Sequence, residues 1–179
     1  MKQETILAQA VIETPRMILR PIRASDAGPM AMHGADKRVA EMTVSIPHPL
    51  PPGATEALIS GAMKPDRNEY VWVMDATDFG GAEFLGVISL EQMDRDQSEI
   101  RYWVVPGMWN TGFASEAVHA MVDFNPLENK TIFGSVFQDN PSSARVLTNA
   151  GFDYLGDAEA FSVARKAPVA TWTYLKRLA

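Results

Sequence analysis

The chain has no cysteine among its 179 residues, which excludes thiol catalysis, disulfide bracing and thiolate-held metals. Its three histidines, His33, His48 and His119, lie too far apart to form an HExxH-type pair, so no metal site is expected. No apolar run approaches the roughly 20 residues that a bilayer crossing needs. The start, Met1-Lys2-Gln3-Glu4, leads into a mixed stretch with Glu13 and Pro15 and gives no signal-peptide pattern. Positive charge is in deficit: 16 Lys and Arg against 22 Asp and Glu leave a net charge of −6. That balance argues against a nucleic-acid or anionic-membrane partner and suits a neutral or cationic one. Hydrophobic residues at 46% and charged residues at 21% exclude wholesale disorder. One soluble, cytoplasmic domain spanning residues 1–179 is the expectation.

The apolar pattern begins as strands and then alternates helix with strand, without repeats. Residues 17–23 (MILRPIR) read as a first strand, after which Ser25 offers a helix N-cap with Asp26 in the first turn. Residues 47–53 (PHPLPPG) hold four of the twelve prolines and predict a stiff loop. That loop and a short helix over 54–63 form an insertion placed to wall a substrate pocket. Strands over 70–74, 84–90 and 100–105 read as an antiparallel meander with polar turns between them. Ala114, Ala117, Val118, Met121 and Phe124 then recur at helical spacing up to Asn125-Pro126. A strand over 131–137, a helix over 141–150 and a closing hairpin from 161–165 and 171–175 complete the pattern. The fold class predicted is a mixed α/β (α+β) sheet with helices on its faces.

Two loop-to-helix junctions attract a chemical reading. In Trp109-Asn110-Thr111-Gly112-Phe113-Ala114-Ser115-Glu116-Ala117, Gly112 permits close backbone approach and a helix starting near Phe113 leaves its first amides unpaired. Free amides beside the positive end of the helix dipole suit a phosphate or pyrophosphate. A plain helix start capped by Ser115 or Thr111 accounts for the same residues, and neither a Walker loop nor a three-glycine dinucleotide fingerprint is present. In the second junction, Asn140 is a cap, Pro141 suits the first helical position and Gly151 suits the left-handed residue past the helix end. Local structure alone explains it.

Taken together, the junctions resemble the acetyl-CoA-binding motifs of the GNAT superfamily of N-acetyltransferases. The family's Q/R-x-x-G-x-G/A loop is matched by residues 109–114, with Trp109 leading. Its N-x-x-S/A-x-x-x-Y-x-x-x-G-F motif is matched at Asn140, Ser143 and Gly151-Phe152. Within the superfamily the chain is similar to the ribosomal-protein-alanine N-acetyltransferase branch. Thr14-Pro15-Arg16-Met17-Ile18-Leu19-Arg20-Pro21 stands where that branch has T-x-R-L-x-L-R-P, with Asp26 following. Glu99-Ile100-Arg101-Tyr102-Trp103 stands where it has E-I-G-Y-W. The resemblance covers about residues 14–175 and implies a GNAT-like fold with acetyl-CoA lying across a splayed sheet. Backbone groups of Tyr102, Trp103 and Val104 would pair with the pantetheine arm. Amides of Asn110, Thr111, Gly112, Phe113, Ala114 and Ser115 would hold the pyrophosphate, with Asn140 near the pantetheine. The loop lacks the family's usual basic residue, so charge neutralisation would fall on amides and on Arg145 or Lys130. Leu147 replaces the tyrosine that often protonates the departing thiolate, which leaves Ser143 or water for that task.

The resemblance implies direct acetyl transfer to an amine through a ternary complex, and the missing Cys and GxSxG elbow agree with a route lacking a covalent enzyme intermediate. Glu99 is the candidate base, against a reading as a solvated residue beside Ser98. Glu116 reads as a first-turn helix carboxylate, Glu41, Glu91 and Asp94 are weaker candidates, and His119 reads as a helix-surface residue. The branch resemblance implies a protein or peptide N-terminal α-amine as acceptor. A small-molecule amine (amino sugar, polyamine, amino-acid analogue) and a non-catalytic CoA-binding module are the alternatives, and pairing of two copies through the C-terminal strands or exposed faces is a further expectation.

Overall fold

Val71 and Val73 alternate with Trp72 and Met74 along one strand, all of them buried, so the period of two gives the sheet two apolar faces. The computed structural model describes residues 9–178; the expectation about the first four residues lies outside them. Its strands are β1 (Ile12–Glu13), β2 (Ile18–Pro21), β3 (Glu69–Asp75), β4 (Gly86–Met93), β5 (Gln97–Val104), β6 (Thr131–Phe137), β7 (Asp153–Ser162) and β8 (Ala167–Arg177). They form one sheet in the order β1-β2-β3-β4-β5-β6-β8-β7. The helices are α1 (Ala27–Gly34), α2 (Lys37–Ala40), α3 (Ala54–Ala62), α4 (Phe113–Phe124) and α5 (Pro141–Asn149). Every neighbouring pair is antiparallel except β5 and β6. A parallel pair requires a crossover, and α4 supplies it.

On one face Trp72, Met74, Ile88, Leu90 and Ile100 meet Ala117, Val118 and Met121 of α4 and Leu147 of α5. On the other, Val71, Val73 and Val87 meet Met30 of α1 and Ile59 of α3. Each fully buried Ile, Leu or Met in these layers is worth about 1.5–3 kcal/mol against exposure. The mixed α/β class and the meander therefore stand as predicted.

Three local expectations are corrected. Ser25 caps nothing: the chain makes a 3-10 turn over Ala24–Asp26, and the N-cap of α1 is Asp26, without a side-chain cap bond. The Asp26 carboxylate instead accepts from the Arg23 amide at 2.9 Å and from both terminal nitrogens of buried Arg20, at 2.9 and 2.8 Å. The closing hairpin is far longer than 161–165 and 171–175, because β7 starts at Asp153, and residues 163–166 are its turn. The proline-rich stretch does connect α2 to α3, but it is residues 42–46, just before it, together with Leu58 of α3 that reach the cleft described next.

Candidate active site

β5 and β6 pair only where residues 97–100 lie opposite 131–134. Past Ile100, β5 stays bonded to β4 while β6 stays bonded to β8, so the two parallel strands part. A cavity of about 320 Å³ occupies the gap. Residues 99–103 of β5 form one wall; residues 135–137 of β6 with Asn140, Ser143 and Leu147 form the other. Residues 42–46, with Met30 and Leu58, close the side away from α4. Strand-edge groups facing such a gap are suited to an extended, amide-bearing arm laid in as an added strand. Tyr102, Trp103 and Val104 all lie on this parted stretch, although the Val104 carbonyl already accepts from the Trp109 indole at 2.7 Å.

The chain then turns into the loop before α4. Asn110 and Gly112 both take left-handed conformations, with φ of 61° and 85°, which asparagine and glycine tolerate best. Among the described residues, none of the amides from Asn110 to Ser115 finds a protein acceptor, and the first helical bond runs from the Glu116 amide to the Gly112 carbonyl. A run of free amides at a helix start is an anion cradle. The capping expectation for this helix is corrected: Gly112 is the N-cap, Ser115 makes no cap bond, and the Thr111 hydroxyl donates back to the Met108 carbonyl.

Of the two cations expected to serve the loop, neither is bonded to it among the described residues. Lys130 precedes β6 and faces Asp96 at 3.6 Å, at the opposite end of β5. Arg145 lies on the exposed side of α5, donating to the Ser142 hydroxyl at 3.3 Å. Two cations that sequence reasoning missed do reach the loop: Arg38, whose guanidinium lies 5.5 Å from the centre of the Trp109 ring, and Arg16, which bonds the loop backbone. Its Nη1 donates to the Thr111 carbonyl at 2.9 Å, its Nε meets Glu116 at 2.8 Å, and its guanidinium lies 4.1 Å from the centre of the Phe113 ring. Burial pushes the Glu116 carboxyl up, but bonds from the Thr14 hydroxyl, the Arg16 side chain and the Arg16 amide outweigh it and hold the group below its ordinary value. The signal was present in the Thr14-Pro15-Arg16 motif, which names the residues but not their destination.

On the wall of β5, Glu99 is not a solvated turn residue. Register sets Glu69, Glu91 and Glu99 side by side across β3, β4 and β5. Like charges directly opposed repel, and Arg101, two residues along from Glu99 on the same face, holds them. It meets Glu99 at 3.0 Å and Glu69 at 3.9 Å, and also bonds Glu91. The Ser89 hydroxyl donates to Glu69 at 2.7 Å. One guanidinium among three carboxylates leaves a net charge of −2 when all are ionised. Burial raises the Glu99 pKa above the ordinary carboxylate value; Arg101 opposes that rise, and Glu91 and Glu69 add to it. Glu41 and Asp94 stand apart: Glu41 faces Lys37 at 3.6 Å, and Asp94 is exposed in the β4–β5 turn. His119 lies on α4 in a shallow groove with Glu13 and Asp123, outside the cleft.

Across the gap, Asn140 caps α5 as predicted, its side-chain oxygen accepting from the Ser143 amide at 3.4 Å. The Ser143 hydroxyl donates to Tyr102 Oη at 3.0 Å, and Tyr102 in turn donates to the Ser143 carbonyl at 2.9 Å. Burial drives the Tyr102 pKa well above its ordinary value, only partly countered by Ser143. Leu147 is fully buried and packs on Gly134, where an added Cβ would come within 2.8 Å of it. The far wall is tied by Arg165 of the β7–β8 turn. It donates to the Glu41 carbonyl at 3.0 and 2.8 Å, pairs with Asp139 and lies 4.9 Å over Phe137.

Free amides thus stand at a helix start beyond the parted end of β5, and the cleft between the parted strands ends at carboxylates. The chain belongs to the GNAT acetyltransferases: the family described as Acetyltransferase (GNAT) domain matches residues 16–153. It is 28% identical over 170 residues to the uncharacterised N-acetyltransferase YoaA of Bacillus subtilis, covering 92% of this chain and 94% of that protein. Two solved structures share its fold. One is RimL, a ribosomal L7/L12 α-N-protein acetyltransferase in complex with coenzyme A, with a TM-score of 0.80, 14% identity and 94% and 98% of the two chains covered. The other is a spermidine N-acetyltransferase from Vibrio cholerae in complex with CoA and spermine, with a TM-score of 0.73, 17% identity and 89% and 95% covered. The protein is thus an acetyl-CoA-dependent N-acetyltransferase. Among the described residues there is no group of three or more His, Asp or Glu placed to hold a metal, and no helix long and apolar enough to cross a membrane.

Proposed function

We propose that this protein moves the acetyl group of acetyl-CoA directly to the N-terminal α-amine of a protein or peptide, with Glu99 as the base. The observation that carries this reading is the position of Glu99, half-buried on the wall of the gap between β5 and β6, with its pKa raised. The diphosphate lies on the amides of residues 110–115. The pantetheine arm runs along residues 102–104, with Asn140 beside it, which brings the thioester toward Glu99 and Ser143. Arg145, exposed on α5, is left for the outer phosphates. Glu99, directly or through one water, takes a proton from the amine. The amine nitrogen bonds to the thioester carbonyl carbon, the C–S bond breaks, and the thiolate takes a proton either from water or through the Ser143 hydroxyl, which Tyr102 orients and which regains a proton from solvent in the same step, while Glu99 returns the amine's proton to solvent. Alignment of two such reactants supplies on the order of 7–11 kcal/mol.

The base has modest work to do with this acceptor, because an α-amine with a pKa of about 7.7–8.0 is already about a tenth neutral at pH 7, whereas a lysine near 10.4 is not. The RimL likeness supports a protein N-terminus. A small cationic amine is the second reading, favoured by the net negative row of Glu69, Glu91 and Glu99 and by the likeness to the spermidine enzyme. Release of CoA thiol from acetyl-CoA, followed across N-terminal peptides, polyamines and amino sugars, decides between them. The proposal expects turnover on peptides that N-terminal blocking abolishes. Turnover on polyamines alone selects the second reading, and CoA binding without turnover on any amine leaves a binding module.

A further inference from the structure

Arg16 lies about a hundred residues from the α4 loop in sequence, yet it bonds Thr111 of that loop and touches Phe113 and Glu116 in the first turn of α4, and nothing in the transfer chemistry above uses it. Its Nη1 holds the Thr111 carbonyl at 2.9 Å. The Thr111–Gly112 peptide is planar and trans, so its carbonyl and the Gly112 N–H point in opposite directions. Fixing the carbonyl toward Arg16 therefore fixes the Gly112 N–H away from Arg16. The Phe113 ring under the guanidinium and the Glu116 carboxylate on Nε lock the fork in place. Glu116 is itself held by the Thr14 hydroxyl at 2.7 Å and the Arg16 amide at 3.0 Å. Gly112 belongs to the same fit, since a Cβ there would lie 3.2 Å from Arg16 Nη2. Glu116 also neutralises the guanidinium, which makes Arg16 an aiming device rather than a free cation.

We propose that Arg16 is a positioning residue for the donor: by bonding the Thr111 carbonyl, it turns the loop amides toward the diphosphate of acetyl-CoA and so replaces the basic side chain the loop lacks. This rests on the loop holding the diphosphate, and the experiment separates the two claims. CoA and pantetheine, which lacks the diphosphate and the nucleotide, are titrated calorimetrically into wild type, Arg16→Ala and Arg16→Lys, with thermal melts to confirm folding. Lysine keeps the charge but loses the planar fork, so it is expected to behave like alanine and covers the case in which alanine fails to fold. Loss of a charge-assisted hydrogen bond that orients the site is expected to weaken CoA binding about tenfold, with pantetheine binding unchanged. Unchanged CoA affinity in Arg16→Ala, full recovery in Arg16→Lys, or equal losses for both ligands would overturn the role of Arg16. A wild type that binds CoA no more tightly than pantetheine would overturn the loop itself as the diphosphate site.

Discussion

Two arginines each sit among several carboxylates, and they do opposite things. Arg20 is buried between Asp26 and Asp75, bonding both at 2.8–2.9 Å, with the exposed Glu83 at 3.8 Å. Burial alone would lower its pKa, but the two aspartates outweigh that and raise it. That cluster lines neither the cleft nor the groove beside α4. Arg101 is partly exposed and faces three glutamates along the cleft wall, at distances that stretch to 3.9 Å. The first cluster is dry and held at short range, and it joins β2, β3 and the turn before α1. The second is wet and short of positive charge, and one of its carboxylates, Glu99, has a raised pKa. Both clusters carry more negative than positive charge, and what separates them is that the second lines the cleft and holds a carboxylate with a raised pKa.

Breaking each cluster should therefore give different symptoms. Glu99→Gln is expected to lower kcat about 10²–10⁴-fold, the usual contribution of a positioned base, with melting temperature nearly unchanged. In wild type the rate should rise with pH through the raised Glu99 pKa, because the base must be ionised, and steady-state profiles of the variant should lack that acidic limb. Arg20→Met should instead cost about 3–5 kcal/mol of stability by leaving two carboxylates buried and unpaired, read by denaturant unfolding. Asp75 is held below its ordinary pKa despite burial, by Thr77 and Arg20. Its contribution is present above the unfolded-state value and lost as pH falls through the folded one, so the stability difference between wild type and variant should shrink in acid. Arg101→Gln should change stability by no more than about 1 kcal/mol, as for exposed pairs, while moving the acidic limb to higher pH, since the group opposing the rise in the Glu99 pKa is gone. Tyr102→Phe, which removes the hydroxyl paired with Ser143, should cost about 0.5–1.5 kcal/mol, and any fall in kcat beyond that would place the pair in thiolate protonation.

How much of this could be read in advance depended on sequence distance. Asn140, Pro141 and Gly151 announce the ends of α5 because capping acts within a few residues, and all three take those parts, whereas Gly112 takes the N-cap place expected of Ser115 or Thr111. The Arg16–Glu116 brace spans a hundred residues, and the row of Glu69, Glu91 and Glu99 exists only through strand register, so neither is visible as a local pattern. Most of β7 is exposed, including Tyr154, Leu155 and Phe161, so it lacks the alternation that marks a strand, and its first residues were not predicted as one. Ser25 looked like a cap because the pattern has the right letters, but the buried bonds from Arg20 to Asp26 override it. The pocket wall was expected from the insertion of residues 47–63; Leu58 of that insertion does line the cleft, but residues 42–46 before it supply most of that side, and Arg165 and the Val163 amide hold residues 41–44 in place from the other end of the chain.

The central claim is that the donor's diphosphate rests on the amides around Gly112 while its arm enters between β5 and β6. The most direct measurement is a titration of isotopically labelled protein with CoA, followed by amide NMR shifts. The account predicts the largest shifts at residues 110–115, with further shifts at residues 102–104 and Asn140. Shifts confined to the groove of Glu13, His119 and Asp123, or none at saturating CoA, would contradict it.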